Sequence, residues 1–389
     1  MNERLRQVRA RIDALRPLNA FITLTGEVGD GDMVAVEDVI DVAGLVTSCG
    51  ARLPGATAAG RDAAVVARAR AAGALIVGKT NLEPWAFGVT SNNPHWGDVR
   101  HPIDPLRIPG GSSGGAAVAV AAGLCNWAMG TDTGGSVRLP AALCGVVGLK
   151  PSWGLVQLTG VAPMAPSLDT LGIFAPDLAT AMRALAVVAG RPDLAELSQH
   201  QEHAPLHLAT PAGWVGELDS AVGDTWMHVL PSLVPVVLPE RKQLARTAMT
   251  ILLHEAYAVH ASRLGQHPQV FTAALRESLL RGAAISAQDH AVALQARVAA
   301  RQAVEQAMAG YDALVLPTAD RVAPLRGAPI APGSLTRFTM PFNLTGQPAI
   351  SLPAATTGLP TAIQLVGRFG QDAALLVVAS RFVRALRQP

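Results

Sequence analysis

Residues 109–151 read PGGSSGGAAVAVAAGLCNWAMGTDTGGSVRLPAALCGVVGLKP, and this stretch decides how the rest of the chain is interpreted. It contains two glycine–serine motifs, one at 109–115 and one that ends in Ser136, directly after two glycines. Because glycines have no Cβ, backbone N–H groups beside them can converge on a reacting carbonyl oxygen. Ser136 is therefore a candidate nucleophile, and a serine that only caps a helix is the alternative. Asp132 and Arg138 flank it, and we expect them to form an ion pair that braces the loop.

The motif at 109–115 lacks the Gly-Lys-Ser/Thr ending of a phosphate-binding loop, which argues against nucleotide binding. By itself it is also compatible with a linker or a tight turn. No dinucleotide fingerprint and no His, Cys, Asp or Glu group with metal-ligand spacing occurs in the sequence. We therefore expect neither a cofactor nor a metal.

Composition limits the other function classes. Of the 389 residues, 50% are hydrophobic and 15% are charged, and the formal net charge is +2. The chain can bury a large core, and its charge favours neither nucleic acid nor an anionic membrane as a partner. Three cysteines without disulfide or metal spacing, together with a charged N-terminus that lacks an apolar segment, predict a cytoplasmic protein with reduced thiols.

Hydrophobic patterning predicts strands that alternate with helices, which indicates an α/β sheet covered on both faces. The predicted strands are 33–36, 74–77, 126–130, 144–149, 313–316, 349–352 and 362–366. The predicted helices are 5–15, 62–72, 116–122 and about 372–386, with a mainly helical region from about 178 to 310. The long irregular stretch 81–109 is the kind of loop that usually carries function.

The two motifs and the segment that ends in Gly-Leu-Lys-Pro151 together resemble the amidase signature family. Val77-Gly-Lys-Thr-Asn81 and Phe342-Asn-Leu-Thr-Gly-Gln-Pro-Ala349 also resemble it. The resemblance implies an α/β fold, a single domain over 1–389 with a mixed β-sheet between helices. Its parts are a shortened N-terminal part at 1–32, a signature core at 34–175, a variable helical region at about 190–310 and a C-terminal sheet region at 312–387.

The resemblance also implies roles for the serines and glycines. Ser136 corresponds to the nucleophile, and Ser112 corresponds to a serine that follows a cis peptide bond and relays a proton. Thr133, Gly134 and Gly135 would supply backbone donors to the oxyanion. Ser113 is assigned to the substrate-binding loop, where its expected contribution is to start the helix.

Position 37 departs from the family pattern. The resemblance implies a catalytic lysine there, and this chain has Glu37. The other lysines, Lys79, Lys150 and Lys242, do not replace it readily, because the first two match lysines that the family also has and the third lies in a charged surface run. A buried glutamate can act as a base, or the site can be inactive.

The function expected on this basis is hydrolysis of a small-molecule carboxamide through a serine acyl-enzyme. The alternative is a catalytically silent amidase-like protein that binds a ligand or serves as a subunit. A shortened N-terminal part can leave an apolar surface for a second copy or a partner subunit. A weaker third expectation is a subunit for amide transfer.

Overall fold

The structure is a computed structural model that describes residues 3–197, 205–354 and 356–385. In this part of the chain, eleven strands form one mixed sheet. The strands are β1 (Phe21–Leu24), β2 (Met33–Glu37), β3 (Leu75–Thr80), β4 (Trp127–Asp132), β5 (Val147–Lys150), β6 (Thr170–Ala175), β7 (Leu208–Pro211), β8 (Val234–Val236), β9 (Ala313–Pro317), β10 (Ala349–Pro353) and β11 (Ala362–Val366).

Twelve α-helices surround the sheet in the described residues. They are α1 (Glu3–Ala14), α2 (Ala64–Ala71), α3 (Gly114–Ala121), α4 (Arg138–Cys144), α5 (Leu178–Ala189), α6 (Asp193–Glu196), α7 (Ser220–Val229), α8 (Arg241–Gln266), α9 (Ala273–Ala283), α10 (Ala287–Ala307), α11 (Met340–Thr345) and α12 (Asp372–Ala385).

The strand order across the sheet is β1-β3-β2-β4-β6-β5-β10-β11-β9-β7-β8. Strand β2 runs parallel to its neighbours β3 and β4, whereas β4 runs antiparallel to β6. The strands β5, β10 and β11 continue the sheet in antiparallel pairs. The segments before and after β4 are therefore brought to the middle of the sheet, where helices cover both faces.

Side-chain alternation along β2 shows how both faces are buried. Val34 and Val36 pack into the core cluster that also contains residues of α2 and α5. Met33 and Ala35 pack into the opposite cluster with α1 and α3. Because side chains alternate between faces along a strand, Glu37 belongs to the face of Met33 and Ala35 and points toward α3.

The fold class predicted from the sequence is confirmed, because the described residues form one large mixed sheet flanked by helices. The predicted strand at 144–149 begins too early, because Cys144 ends α4 and Gly145 then adopts a left-handed conformation before β5 starts. The strands β1, β6, β7 and β8 were not predicted, and Leu386 of the predicted last helix lies outside the described residues.

The three cysteines, Cys49, Cys125 and Cys144, are buried and free. Burial raises the pKa of the Cys49 and Cys125 thiols to about 12, so these thiols stay protonated at neutral pH. None of the described helices has the length and apolar character needed to cross a membrane.

Candidate active site

Ser136 lies in the short segment between the end of β4 at Asp132 and the start of α4 at Arg138. Its exposed fraction is 9%, whereas Ser112 and Ser113 are fully buried. The peptide bond between Gly111 and Ser112 is cis, as the resemblance predicts. Ser136 is therefore the one of these three serines that solvent reaches.

A buried ion pair bends the Ser136 segment into its turn. Arg138 Nη2 and Nε lie 2.9 and 3.1 Å from the two carboxylate oxygens of Asp132. Asp132 also accepts hydrogen bonds from the backbone N–H groups of Gly135, Val137 and Arg138. Although burial alone would raise the pKa of Asp132, the Arg138 guanidinium lowers it to about 2. The pair braces the loop structurally, as predicted.

Residues from the C-terminal region complete this ion pair. Arg138 donates to Asn343 Oδ1 at 2.6 Å and to Gln364 Oε1 at 2.7 Å. Asn343 in turn donates to the backbone oxygen and the carboxylate of Asp132. Every charge-bearing atom of the pair therefore has a partner, which is the condition for burying such a pair without a large penalty. Gln364 received no role from the sequence.

The peptide unit between Gly134 and Gly135 is held at both ends. Thr339 Oγ1 donates to the Gly134 carbonyl at 2.7 Å, and the Gly135 N–H donates to Asp132 Oδ1 at 2.8 Å. A Cβ on Gly135 would lie 2.1 Å from Thr339 Oγ1, and the Gly135 φ angle of 128° is one that other residues rarely adopt. A glycine is required at this position.

This geometry changes the set of available oxyanion donors. The sequence suggested Thr133, Gly134 and Gly135, but the Gly135 N–H is already bonded to Asp132. Among the described residues, no acceptor is bonded to the backbone N–H of Thr133, Gly134 or Ser136. The Gly135 carbonyl accepts from Leu139 N at the start of α4. The backbone N–H groups that remain available to an oxyanion are therefore those of Thr133 and Gly134, before Gly135, and that of Ser136, after it.

Glu37 is fully buried, and its carboxylate accepts three hydrogen bonds. Ser113 Oγ donates to Oε1 at 2.7 Å. The Thr131 backbone N–H and hydroxyl donate to Oε2 at 2.6 and 3.0 Å. Burial raises the pKa of Glu37 to about 7; the bonds from Ser113 and Thr131 oppose this rise, and the nearby Asp38 adds to it. Its carboxyl group can therefore both lose and take up a proton near neutral pH.

Ser113 stands at the N-cap of α3, where its carbonyl accepts from the Ala117 N–H, but its side chain does not cap the helix. Its hydroxyl bonds to Glu37 instead, because it faces the sheet rather than the helix terminus. A Cβ on Gly130 would lie 3.1 Å from Ser113 Oγ and 2.8 Å from the Phe174 ring. The glycine at position 130 of β4 is what lets Ser113 approach the strand.

The long loop predicted before the first motif holds Ser112 by its backbone. The single hydroxyl proton of Ser91 is shared between the carbonyl oxygens of Gly110 and Ser112, which lie 2.8 and 2.9 Å from Ser91 Oγ. The Glu83 N–H also donates to the Ser112 carbonyl. The Ser112 hydroxyl itself has no hydrogen-bond partner among the described residues. It is a buried hydroxyl that remains available to a reacting group.

Of the three lysines, Lys79 and Lys150 are buried and Lys242 is exposed. Lys79 Nζ lies 3.1 Å from Asp38 Oδ1 and donates to Thr47. Lys150 Nζ donates to the Pro151 carbonyl, and burial, with Arg138 nearby, lowers its pKa to about 7. Lys242 is exposed in the first turn of α8. No lysine of the described chain contacts the Glu37 carboxylate.

Sequence reasoning missed four residues that shape the site: Thr131, Asp169, Thr339 and Asn343. Thr131 and Asn343 stand inside motifs that were quoted for the family resemblance, so those motifs were the available signal. Asp169 accepts a 2.6 Å hydrogen bond from Thr133 Oγ1. Nothing local in the sequence indicates that Asp169 and Thr339 meet the Ser136 segment.

Comparisons with known proteins agree with this architecture. A sequence profile of the Amidase family matches residues 30–208 and 231–376. The chain is 35% identical to a glutamyl-tRNA(Gln) amidotransferase subunit from Halobacterium salinarum, over 93% of this chain and 99% of that protein.

Among solved structures, one described as an amidase is 32% identical with a TM-score of 0.89, over 98% of this chain and 95% of that one. The 6-aminohexanoate cyclic dimer hydrolase is 27% identical with a TM-score of 0.84, over 99% and 93% of the two chains.

Proposed function

This chain belongs to the Amidase family, and on that premise we propose that it hydrolyses a small carboxamide through an acyl-enzyme at Ser136. The observation that carries the proposal is the surrounding of the partly exposed Ser136. In this segment, no acceptor among the described residues is bonded to the backbone N–H of Thr133, Gly134 or Ser136. Preorganised donors of this kind stabilise the oxyanion of acyl transfer.

In the proposed reaction, Ser136 Oγ attacks the amide carbon and the oxygen of the substrate becomes the oxyanion. The Ser136 proton passes to Ser112, and from Ser112 through a water molecule to Glu37, because the carboxylate contacts Ser113 rather than Ser112. Glu37 then returns the proton to the leaving amine as the carbon–nitrogen bond breaks. Water hydrolyses the resulting ester and regenerates Ser136.

The burial around Ser136 favours a small substrate. Asp132, Ser112, Ser113 and Arg138 beside it are fully buried, and Ser136 itself keeps only 9% of its surface exposed. We expect a panel of small primary amides to release ammonia with this protein, and amides of large polypeptides to remain intact. Cleavage of the large amides alone would contradict the small-substrate assignment.

The first experiment is intact-mass detection of labelling by a generic fluorophosphonate, which reports an activated serine without a known substrate. We expect one label on the unmodified protein and none on Ser136→Ala. The exposed Ser220 offers a matched control, so Ser220→Ala is expected to label like the unmodified protein. Labelling that persists in Ser136→Ala would overturn the assignment of the nucleophile.

A second candidate function is that of a silent, amidase-like subunit, and two observations favour it. Glu37 has no lysine beside it in the described chain, and the relative from Halobacterium salinarum carries the name of a subunit. The Glu37→Lys variant separates the two candidates. Labelling only in Glu37→Lys would support the silent subunit, whereas labelling with Glu37 in place supports the hydrolase.

A further inference from the structure

Thr133 is joined to a carboxylate that has no part in the proposed proton transfer. Its hydroxyl donates to Asp169 Oδ1 at 2.6 Å, and both side chains are buried. Asp169 directly precedes β6, which runs antiparallel to β4 with Thr170 opposite Asp132. The two residues therefore continue the pairing of β4 and β6 by one position, through side chains instead of the backbone.

The other carboxylate oxygen of Asp169 holds a turn. It accepts hydrogen bonds from the N–H groups of Met164 and Ala165 at 2.9 and 3.0 Å. The Asp169 N–H donates to the Ala165 carbonyl at 2.9 Å, which closes the turn from the other side. Asp169 thus connects a rigid turn to the Thr133 side chain.

The variable helical region also contacts the turn that contains Asp169. Glu255 on α8 accepts a hydrogen bond from the Ser167 N–H at 2.9 Å, and its other oxygen lies 3.1 Å from His290 Nε2 on α10. The turn that holds Asp169 is therefore itself bonded to α8 through Glu255. A side chain fixed in this way can hold Thr133 in a single orientation.

Hydrogen bonds to the Asp132 carbonyl also orient the Thr133 N–H. The carbonyl of Asp132 belongs to the same peptide unit, and it accepts from Thr170 Oγ1 at 2.8 Å and from Asn343 Nδ2 at 2.9 Å. In a trans peptide the N–H points away from the carbonyl. The Thr133 N–H is therefore directed opposite to Thr170 and Asn343.

We propose that Asp169 is a positioning residue, which holds Thr133 so that the N–H groups of Thr133 and Gly134 face the substrate oxygen during acyl transfer. This inference rests on the proposed function and deepens it. The Thr133 hydroxyl contacts no reacting atom, so its effect passes through the backbone donors. Displacing such donors by a fraction of an ångström weakens transition-state stabilisation more than it weakens binding.

The test uses Thr133→Val, which keeps the side-chain shape and removes the hydroxyl. We expect the rate of fluorophosphonate labelling and kcat for the best amide of the panel to fall about 10- to 100-fold, with KM nearly unchanged. Thr133→Ser restores the hydroxyl and is expected to recover most of the rate. Thr225→Val removes a threonine hydroxyl on α7, bonded to Ala221 and Thr361, and is expected to leave the rate unchanged.

Hydrogen exchange provides a readout that does not depend on activity. Exchange of peptides covering residues 130–138 should accelerate about tenfold in Thr133→Val, the factor that corresponds to one lost hydrogen bond, and stay unchanged in Thr225→Val. Absence of labelling in the unmodified protein would count against the proposed function, and exchange would still decide the inference. Unchanged exchange, or a labelling rate equal to that of the unmodified protein, would overturn the role of Asp169.

Discussion

The buried hydroxyl of Ser113 donates a 2.7 Å hydrogen bond to the buried carboxylate of Glu37. No cation accompanies this carboxylate among the described residues, and Thr131 supplies its two remaining donors. A buried carboxylate that is stabilised only by neutral donors keeps a high proton affinity. This balance gives Glu37 a pKa of about 7, which is the range in which a general base works at physiological pH.

The rate of Ser136 labelling should depend on pH through Glu37. The base is active as the carboxylate, and the carboxylate fraction grows as the pH rises through about 7. We therefore expect the labelling rate to increase about tenfold per pH unit below 7 and to level off above about 8. Rates measured between pH 5 and 9 by intact mass test this expectation.

The control for that profile is Glu37→Gln, which keeps the shape and the ability to accept from Thr131 but does not titrate. Its labelling rate should be at least about 100-fold lower at pH 8, with no inflection near pH 7. A variant that retained the inflection would show that another group titrates.

Glu37 should also make folding stability depend on pH. Its pKa is about 7 in the folded protein against an ordinary value of 4.5, so the folded state binds the proton more tightly. The stabilisation from this proton is complete below pH 4.5 and is lost as the pH rises through 7. The unmodified protein loses this stabilisation between pH 5 and pH 8, and Glu37→Gln does not. The free energy of unfolding of Glu37→Gln minus that of the unmodified protein should therefore increase by roughly 2–3 kcal/mol from pH 5 to pH 8. Urea titrations of both proteins at the two pH values measure this difference.

Removing the charge of Arg138 should destabilise the protein strongly. Arg138→Met leaves Asp132 buried without its cation, and such losses cost about 3–5 kcal/mol. Arg191 forms an exposed pair with Asp193, so Arg191→Met is expected to produce no measurable change in the same urea titration. Equal effects of the two substitutions would contradict the structural role of the buried pair.

Gly135→Ala should damage both folding and labelling. The added Cβ would lie 2.1 Å from Thr339 Oγ1, at a φ angle of 128° that costs an alanine about 1–3 kcal/mol. We expect a lower free energy of unfolding and loss of labelling at Ser136. Gly216→Ala places its Cβ in open space and provides the control, for which labelling and stability should stay near those of the unmodified protein.

Short apolar runs were sufficient for predicting strands at 33–36 and 362–366, and the local motif was sufficient for predicting the pairing of Asp132 with Arg138. The sequence could not predict which serine contacts Glu37. Ser112 and Ser113 are adjacent, and only the backbone conformation decides which of their hydroxyls faces the sheet.

Long-range contacts explain the rest of what the sequence did not reveal. Thr339 reaches Gly134 from 205 positions away, and Gln364 reaches Arg138 from 226 positions away. The direction of the Gly135 N–H depends on these partners and on Asp132, so three consecutive residues that looked equivalent as donors are not equivalent.

The sequence separation between Arg138 and its partners also determines when these contacts can form during translation. Asp132 is synthesised before Arg138, but Asn343 and Gln364 follow 205 and 226 residues after Arg138. Until β11 has left the ribosome, the guanidinium has only part of its final set of partners, because Gln364 lies in β11. Contacts of such long range form slowly. A nascent chain that stops before Thr339 therefore carries the complete serine motifs without the surroundings that shape them.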